Sequence, residues 1–325
     1  MSTASPPSDA IRITFVRHGE SEANLTGCWQ GHGDSPLSAR GREQAQRLTA
    51  RLAAARFDRL VSSDLSRARD TGLAVSTRLG QPLHTDAAWR EIDVGRWEGL
   101  TRPQVAARFP EELEAVRRGE SVAIGGGESW ADLTRRARGA FDDLLATLTP
   151  GEHALVFAHG GVIASLVLDL FGLGQRRPRP LGHVDNTGLT TIRLRRGTRR
   201  LERFNDTLHL GPVGRWSAAR VREGAALVTL WEGSPPSGYE PPPRVVALEE
   251  LGTEDPRAQL GTLGREHPGR RIGLRASSVA IAALTAELLA PNVAARPRGL
   301  TQLVVDPKGQ CAVGSLHCGP HHLGA

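Results

Sequence analysis

The chain has 325 residues, 39% of them hydrophobic, with 41 Lys plus Arg against 35 Asp plus Glu. That composition supports one large or two ordinary globular cores, and it excludes collagen, a coiled coil and a fully disordered chain. The net charge of +6 is carried almost wholly by arginine, Lys308 being the sole lysine, and is spread evenly: 29 basic and 25 acidic residues in 1–214, leaving 12 and 10 in 215–325. No basic block therefore points to nucleic acid. The most apolar stretch, Val162 to Leu173, is interrupted by Asp169 and falls short of the roughly 20 residues that span a bilayer. The opening MSTASPPSDA lacks the basic start and apolar block of an export signal, so a cytoplasmic protein without a membrane span is expected. Three cysteines, an odd number, do not make a disulfide framework; reduced thiols are the simpler expectation.

After a polar tail, 1–10, the IRITFV run reads as a buried strand over Arg12 to Val16. Ser38 caps an amphipathic helix with Ala45, Leu48, Leu52 and Ala55 on one face. A second strand, Arg59 to Val61, runs into Ser62-Ser63-Asp64, and a helix starts at Ser66-Arg67. Ser129, with Asp132 three residues on, opens a further helix whose apolar face is Leu133, Ala137, Ala140, Leu144 and Leu148. Ala154 to Ala158 is an uninterrupted apolar strand, followed by a helix from Gly161 to Leu170 and by strands over 189–194 and 201–204. Fully apolar strands alternating with helices predict an α/β fold, a three-layer sandwich with a mostly parallel central sheet flanked by helices.

In such sheets ligands collect at the carboxyl ends of the strands, and those positions carry reactive residues. The first strand exits into Arg17-His18-Gly19-Glu20, with Asn24 downstream. Beyond the second lies Arg67; Trp89 precedes Arg90-Glu91; the apolar strand ends in His159-Gly160-Gly161. Two arginines, two histidines and an amide form a positive pocket suited to a dianionic phosphate, since arginine offers planar paired donors. Glycines let the backbone approach, and helix N-termini add N–H donors. A neutral imidazole there can attack phosphorus, and Glu91 can supply a proton to the leaving oxygen. Each residue also has a plainer reading: a single histidine after a strand is commonly structural, Asp93 and Glu98 rival Glu91, Trp97 reads as packing, and Glu20 and Asp64 read as supporting groups.

The stretches VRHGESEAN (16–24), QGHGDSPLSARGREQA (30–45), SSDLSRARDT (62–71), REIDVGRWEG (90–99), GGGES (125–129) and FAHGG (157–161) resemble, in order and over about residues 11–210, the histidine phosphatase superfamily, also called phosphoglycerate mutase-like. The resemblance implies that His18 becomes phosphohistidine, that Arg17, Arg67 and His159 hold the transferring phosphoryl group with Asn24 assisting, and that Glu91 is general acid and then base. It also implies that Gln30 and Gly31 line the phosphate site and that Gly160 is a backbone donor. No metal or other cofactor is implied, because arginines and histidines neutralise the charge. The compact Glu91–Ser129 segment is similar to the phosphatase branch, so the expected activity is phosphomonoester hydrolysis of a small phosphorylated metabolite. Mutase activity and a non-catalytic binding protein that keeps the fold stand as the alternatives. Arg102, Arg108, Arg117 and Arg118 are candidates for recognising a second acidic group, or form a solvated helix face.

The expected organisation is a catalytic domain over 11–214, a connecting segment over 215–243 containing the proline-rich Ser234–Pro243, and a smaller C-terminal α/β module over 244–325. Within the last, Pro268–Leu284 aligns without gaps on Pro150–Leu166, with Ser277 in place of His159, and Arg244–Glu250 resembles Arg12–His18. This predicts a degenerate, inactive partial copy that packs on a partner surface, the catalytic domain or a second subunit, and so offers a route to a homo-oligomer. Cys311, His317, Cys318, His321 and His322 have metal-ligand side chains without metal-site spacing.

Overall fold

The structure is a computed structural model that describes residues 9–174, 180–211, 215–223, 225–231, 245–247, 256–276, 280–281, 284–285, 301–306, 308 and 310–316. It divides into two compact units, Met1–Asp169 and Leu170–Ala325.

The first unit contains β1 (Ile11–Arg17), α1 (Glu22–Thr26), α2 (Ala39–Leu52), β2 (Arg59–Ser62), α3 (Ser66–Leu79), β3 (Leu83–Thr85), α4 (Arg102–Arg108), α5 (Pro110–Arg118), α6 (Trp130–Ala146), β4 (His153–Ala158) and α7 (Gly160–Leu170). Its strands are parallel in the order β3-β2-β4-β1, flanked by helices as the alternating pattern predicts. The apolar runs explain the central strands: Ile13, Phe15 and Val16 of β1 and Ala154 to Ala158 of β4 are fully buried. Each large apolar side chain so buried contributes about 1.5–3 kcal/mol. The helix starts follow their caps. Ser38 Oγ accepts the Gly41 N–H, and Ser129 and Asp132 form a reciprocal capping box. α3 has no side-chain cap of its own; Asp34 accepts the Ser66 N–H at 2.7 Å and does that work from another loop.

Register places the chemistry. β1 pairs β4 from Arg12–His153 to Arg17–Ala158, and β2 pairs β4 up to Ser62–Phe157. Beyond those pairs the His18 N–H donates to the Ala158 carbonyl and the Ser63 N–H to the Phe157 carbonyl. His18, Ser63 and His159 therefore leave the sheet side by side. Trp89, 1% exposed, packs on Phe15 at 5.8 Å, and Phe15 stacks on Phe141, which fixes the segment leading to Glu91.

The second unit contains β5 (Leu189–Arg195), β6 (Thr198–Asp206), α8 (Arg215–Arg222), β7 (Ala226–Trp231), β8 (Val245–Ala247), α9 (Pro256–Glu266), β9 (Arg271–Arg275), β10 (Thr301–Val305) and β11 (Cys311–Leu316). They run in the order β5-β6-β11-β10-β7-β9-β8. β9 is flanked by β7 and β8, all parallel, as β4 is flanked by β1 and β2. In this order β7, the earliest of its three in the chain, stands where β1 stands. Arg244–Glu250, matched by sequence to β1, contributes β8 instead. Short apolar strands resemble one another too closely for sequence to separate them. Residues 215–231, expected as connector, form α8 and β7; the ALVTLW run is a strand pattern that the prolines after it obscured. Ser234–Pro243, Ser277, His317, Cys318, His321 and His322 lie outside the described residues. Cys28 and Cys311 are in no disulfide among the described residues. Among the described residues no cluster has metal-ligand geometry, and no helix is long and apolar enough to cross a membrane.

Candidate active site

The nucleophile candidate is oriented by its own backbone. His18 Nδ1–H donates to the Gly19 carbonyl at 2.6 Å; a carbonyl can only accept, so the proton sits on Nδ1 and Nε2 is the unprotonated nitrogen. The Gly19 N–H donates to Thr71 Oγ1, whose hydroxyl donates to the Arg67 carbonyl. Thr71 thus locks the β1 exit to α3. The two imidazoles lie 5.1 Å apart between ring centroids. Burial, then Arg67 and Arg17, hold the His18 pKa well below its ordinary value, and the Gly19 bond opposes them only in part. For His159 the causes are burial, Arg67, His18, Arg17 and Arg136. Both rings are therefore neutral in the unliganded protein.

Arg67 is completely buried. Its Nη1 and Nη2 donate to the Gly33 and Gly31 carbonyls, each at 2.8 Å, with no carboxylate in ion-pair range among the described residues. Burial lowers its pKa to about 10, with Glu91, Glu98 and Asp34 opposing and Arg17 adding. Burial outweighs those carboxylates, and an anion bound beside the guanidinium would offset the remaining cost. Arg67 Nε, His159 Nδ1 and Gln30 Nε2 are buried without hydrogen-bond partners among the described residues. Arg17 reaches Asn24 Oδ1 at 3.5 Å, and a Cβ placed on Gly160, at the start of α7, would lie 3.4 Å from Arg17 Nε. Ser21 bridges Asn24 and Gln30, since its Oγ donates to Gln30 Oε1 and its Oγ accepts the Asn24 N–H.

Glu91 comes to this cluster through α7. Its Oε2 accepts the Gly161 N–H and its Oε1 the Ile92 N–H, both at 2.9 Å. The rival carboxylates are committed elsewhere. Glu98 accepts the Gly31 and Gly33 N–H groups, and Asp93 accepts that of Gly95. Gly31 therefore serves Arg67 through its carbonyl while its N–H is engaged. Glu20 accepts from the Ser38 hydroxyl, Asp64 makes a two-bond pair with Arg90, and Trp97 is fully buried against Trp29, as their plainer readings predicted. Of the surface arginines, Arg117 pairs with Glu114 and Arg118 with Glu120, so these two belong to a solvated face.

Sequence reasoning missed Ser63, which meets His159 Nε2 at 3.0 Å, and Gly161. A Cβ at Gly161 would strike Glu91 Oε1, so any side chain there displaces the carboxyl. Gly161→Ala is expected to lower kcat about 10²-fold by that misplacement. The thermal midpoint should hold or rise, because alanine is the better helix former. Steady-state kinetics beside thermal melting test this; an unchanged kcat would remove the Glu91–Gly161 contact from the reaction.

The site thus joins two cations, two neutral imidazoles and one carboxyl at the ends of parallel strands, an arrangement able to hold a phosphate and pass it to nitrogen. The chain is 38% identical over 181 residues to the glucosyl-3-phosphoglycerate phosphatase of Mycolicibacterium vanbaalenii, covering 54% of this chain and 80% of that one. Among solved structures, a mycobacterial glucosyl-3-phosphoglycerate phosphatase in complex with VO3 matches with a TM-score of 0.52 and 34% identity, over 56% of this chain and 92% of that one. The α-ribazole phosphatase of Shigella flexneri matches with a TM-score of 0.54 and 28% identity, over 60% and 96%. The model of the histidine phosphatase superfamily (branch 1) matches residues 13–207, a span that takes in every residue of the site, and the chain belongs to that superfamily.

Proposed function

We propose that the protein is a cytoplasmic phosphomonoester hydrolase that acts on a small phosphorylated metabolite through a phosphohistidine on His18. The observation that carries this is the buried Arg67, with no carboxylate in ion-pair range among the described residues, beside two imidazoles held neutral. Arg17, Arg67 and His159 bind the phosphoryl oxygens, with Asn24, Gln30 and the Gly160 backbone at the rim. His18 Nε2 attacks phosphorus as the ester P–O bond breaks, and Glu91 in its acid form gives its proton to the departing oxygen. Water then attacks the phosphohistidine, the N–P bond breaks, and the Glu91 carboxylate takes the water's proton. Inorganic phosphate leaves. Relatives named as phosphatases of small phosphate esters support hydrolysis.

The charge on the transferring group is met by fixed guanidinium and imidazole groups, so no metal step is required. Phosphate release from p-nitrophenyl phosphate should continue in EDTA. Vanadate, which adopts the five-coordinate geometry of the transition state, should inhibit well below substrate concentrations. Loss of activity in EDTA that Mg²⁺ or Zn²⁺ restores would overturn the reading.

A further inference from the structure

Glu91 sits in irregular backbone between Trp89 and Val94, with no helix or strand to hold it. A general acid misplaced by an ångström loses most of its effect, so something outside the segment must fix it. Arg136 of α6 meets that need. Its Nη1 donates to the Ala88 and Arg90 carbonyls at 2.9 and 2.7 Å, and its Nη2 to the Glu91 carbonyl at 3.1 Å. Its Nε and Nη2 also grip the two oxygens of Glu128 at 2.9 and 2.7 Å. All five guanidinium donors are thereby used. Glu128 continues the brace, since its Oε2 accepts the Asp93 N–H and its own N–H donates to the Asp93 carbonyl. His32 Nε2–H adds a second donor to the Glu91 carbonyl, at 3.0 Å.

Four carbonyl or amide groups of residues 88–93 are thus tied to one guanidinium–carboxylate pair, two of them at or next to Glu91. The neighbours of Arg136 do nothing of the kind: Arg135 pairs with Asp132 and Arg138 with Asp142 and Asp169, at the surface. A lysine, with three donors on one point, cannot reproduce the fork. We propose that Arg136, braced by Glu128, is a positioning residue that sets the Glu91 carboxyl at the leaving oxygen. Arg136 hydrogen-bonds neither His18 nor the phosphate-binding arginines; it reaches His159 through its charge, which lysine keeps, so Arg136→Lys isolates the effect on proton delivery. The inference rests on Glu91 being the general acid.

The test compares Arg136→Lys, Glu91→Gln and the double variant in the full chain, on p-nitrophenyl phosphate and on an alkyl phosphate such as β-glycerophosphate. Arg136→Lys should lower the single-turnover rate of ester cleavage, the half-reaction compared throughout, about 10-fold or more on the alkyl ester and less than about 3-fold on the aryl ester, because a good leaving group needs little protonation. The double variant should be no slower than Glu91→Gln, since both changes remove one function. Equal losses on both esters, or losses that multiply in the double variant, would overturn the proposal and assign Arg136 a general structural role. If Arg136→Lys does not fold, Glu128→Gln, which keeps an acceptor for the Asp93 N–H, must show the same leaving-group dependence or the proposal fails. If Glu91→Gln itself affects both esters equally, the acid assignment falls and Arg136 with it. A leaving-group effect in Glu91→Gln but not in Arg136→Lys overturns the Arg136 role alone.

Discussion

His18→Ala is expected to reduce phosphate release about 10³-fold or more, to the level of buffer. Two features make the loss this large. The Gly19 carbonyl fixes the proton on Nδ1, so Nε2 is a nucleophile at any pH where the ring is neutral, and burial beside Arg67 and Arg17 keeps it neutral well below the usual histidine range. The second imidazole is held in another role: His159 Nε2 is engaged by Ser63 on the adjacent strand end. Rapid mixing with a labelled phosphate ester followed by alkaline denaturation, which preserves N–P bonds, should trap labelled wild-type protein and unlabelled His18→Ala. Retention of more than a few per cent of turnover by a folded variant, or label that persists without His18, would remove His18 from its role. Arg17 and the buried Arg67 are untouched by the substitution, so vanadate should still bind the variant and protect it against thermal unfolding.

The elements that carry these groups were legible because their patterns are local. β4 is an unbroken apolar run and β1 alternates apolar residues with Arg12 and Thr14, α2 and α6 begin at serines with their capping partners three residues on, and His18, His159 and Arg67 directly follow a strand or open a helix. β3 was not legible, being three residues with polar His84 in the middle. Nor were α4 and α5, each opened by a proline within its first turn and separated by Phe109 alone. The acid segment was the least legible part. Glu91, Asp93 and Glu98 differ little as sequence; what separates them is which N–H each carboxylate accepts, and those donors lie up to 70 residues away. Arg136 did leave a trace. It falls three residues after Leu133 and four before Ala140, on the stripe that α6 turns inward, where a charged residue requires a partner. The C-terminal strands show the opposite failure: an apolar pattern can mark a strand without saying which strand it is, and only pairing separates β7 from β8 in relation to β1.

Glu91→Gln is expected to slow cleavage of an alkyl phosphate by about 10²–10⁴-fold, the usual worth of a positioned acid, and the first release of nitrophenol from p-nitrophenyl phosphate far less. The amide keeps the shape of the carboxyl and an oxygen able to accept either the Gly161 or the Ile92 N–H, so the phosphoryl binding proposed for Arg17, Arg67 and His159 is preserved and the Kd of the ester should move little. What it lacks is a transferable proton. An alkoxide cannot leave without one, whereas p-nitrophenolate is stable enough to depart alone. The second half-reaction separates the roles further. Once His18 carries phosphate, water must lose a proton to attack, and that step does not depend on the original ester. If Glu91 is also the base, p-nitrophenyl phosphate should show a burst of nitrophenol equal to the enzyme, followed by slow turnover limited by hydrolysis of the phosphohistidine. Stopped-flow absorbance reads that burst directly. A slow reaction without a burst on the aryl ester, together with an equal loss on the alkyl ester, would mean that the carboxyl acts before phosphorus is attacked, as a ligand to the substrate rather than as a carrier of its proton.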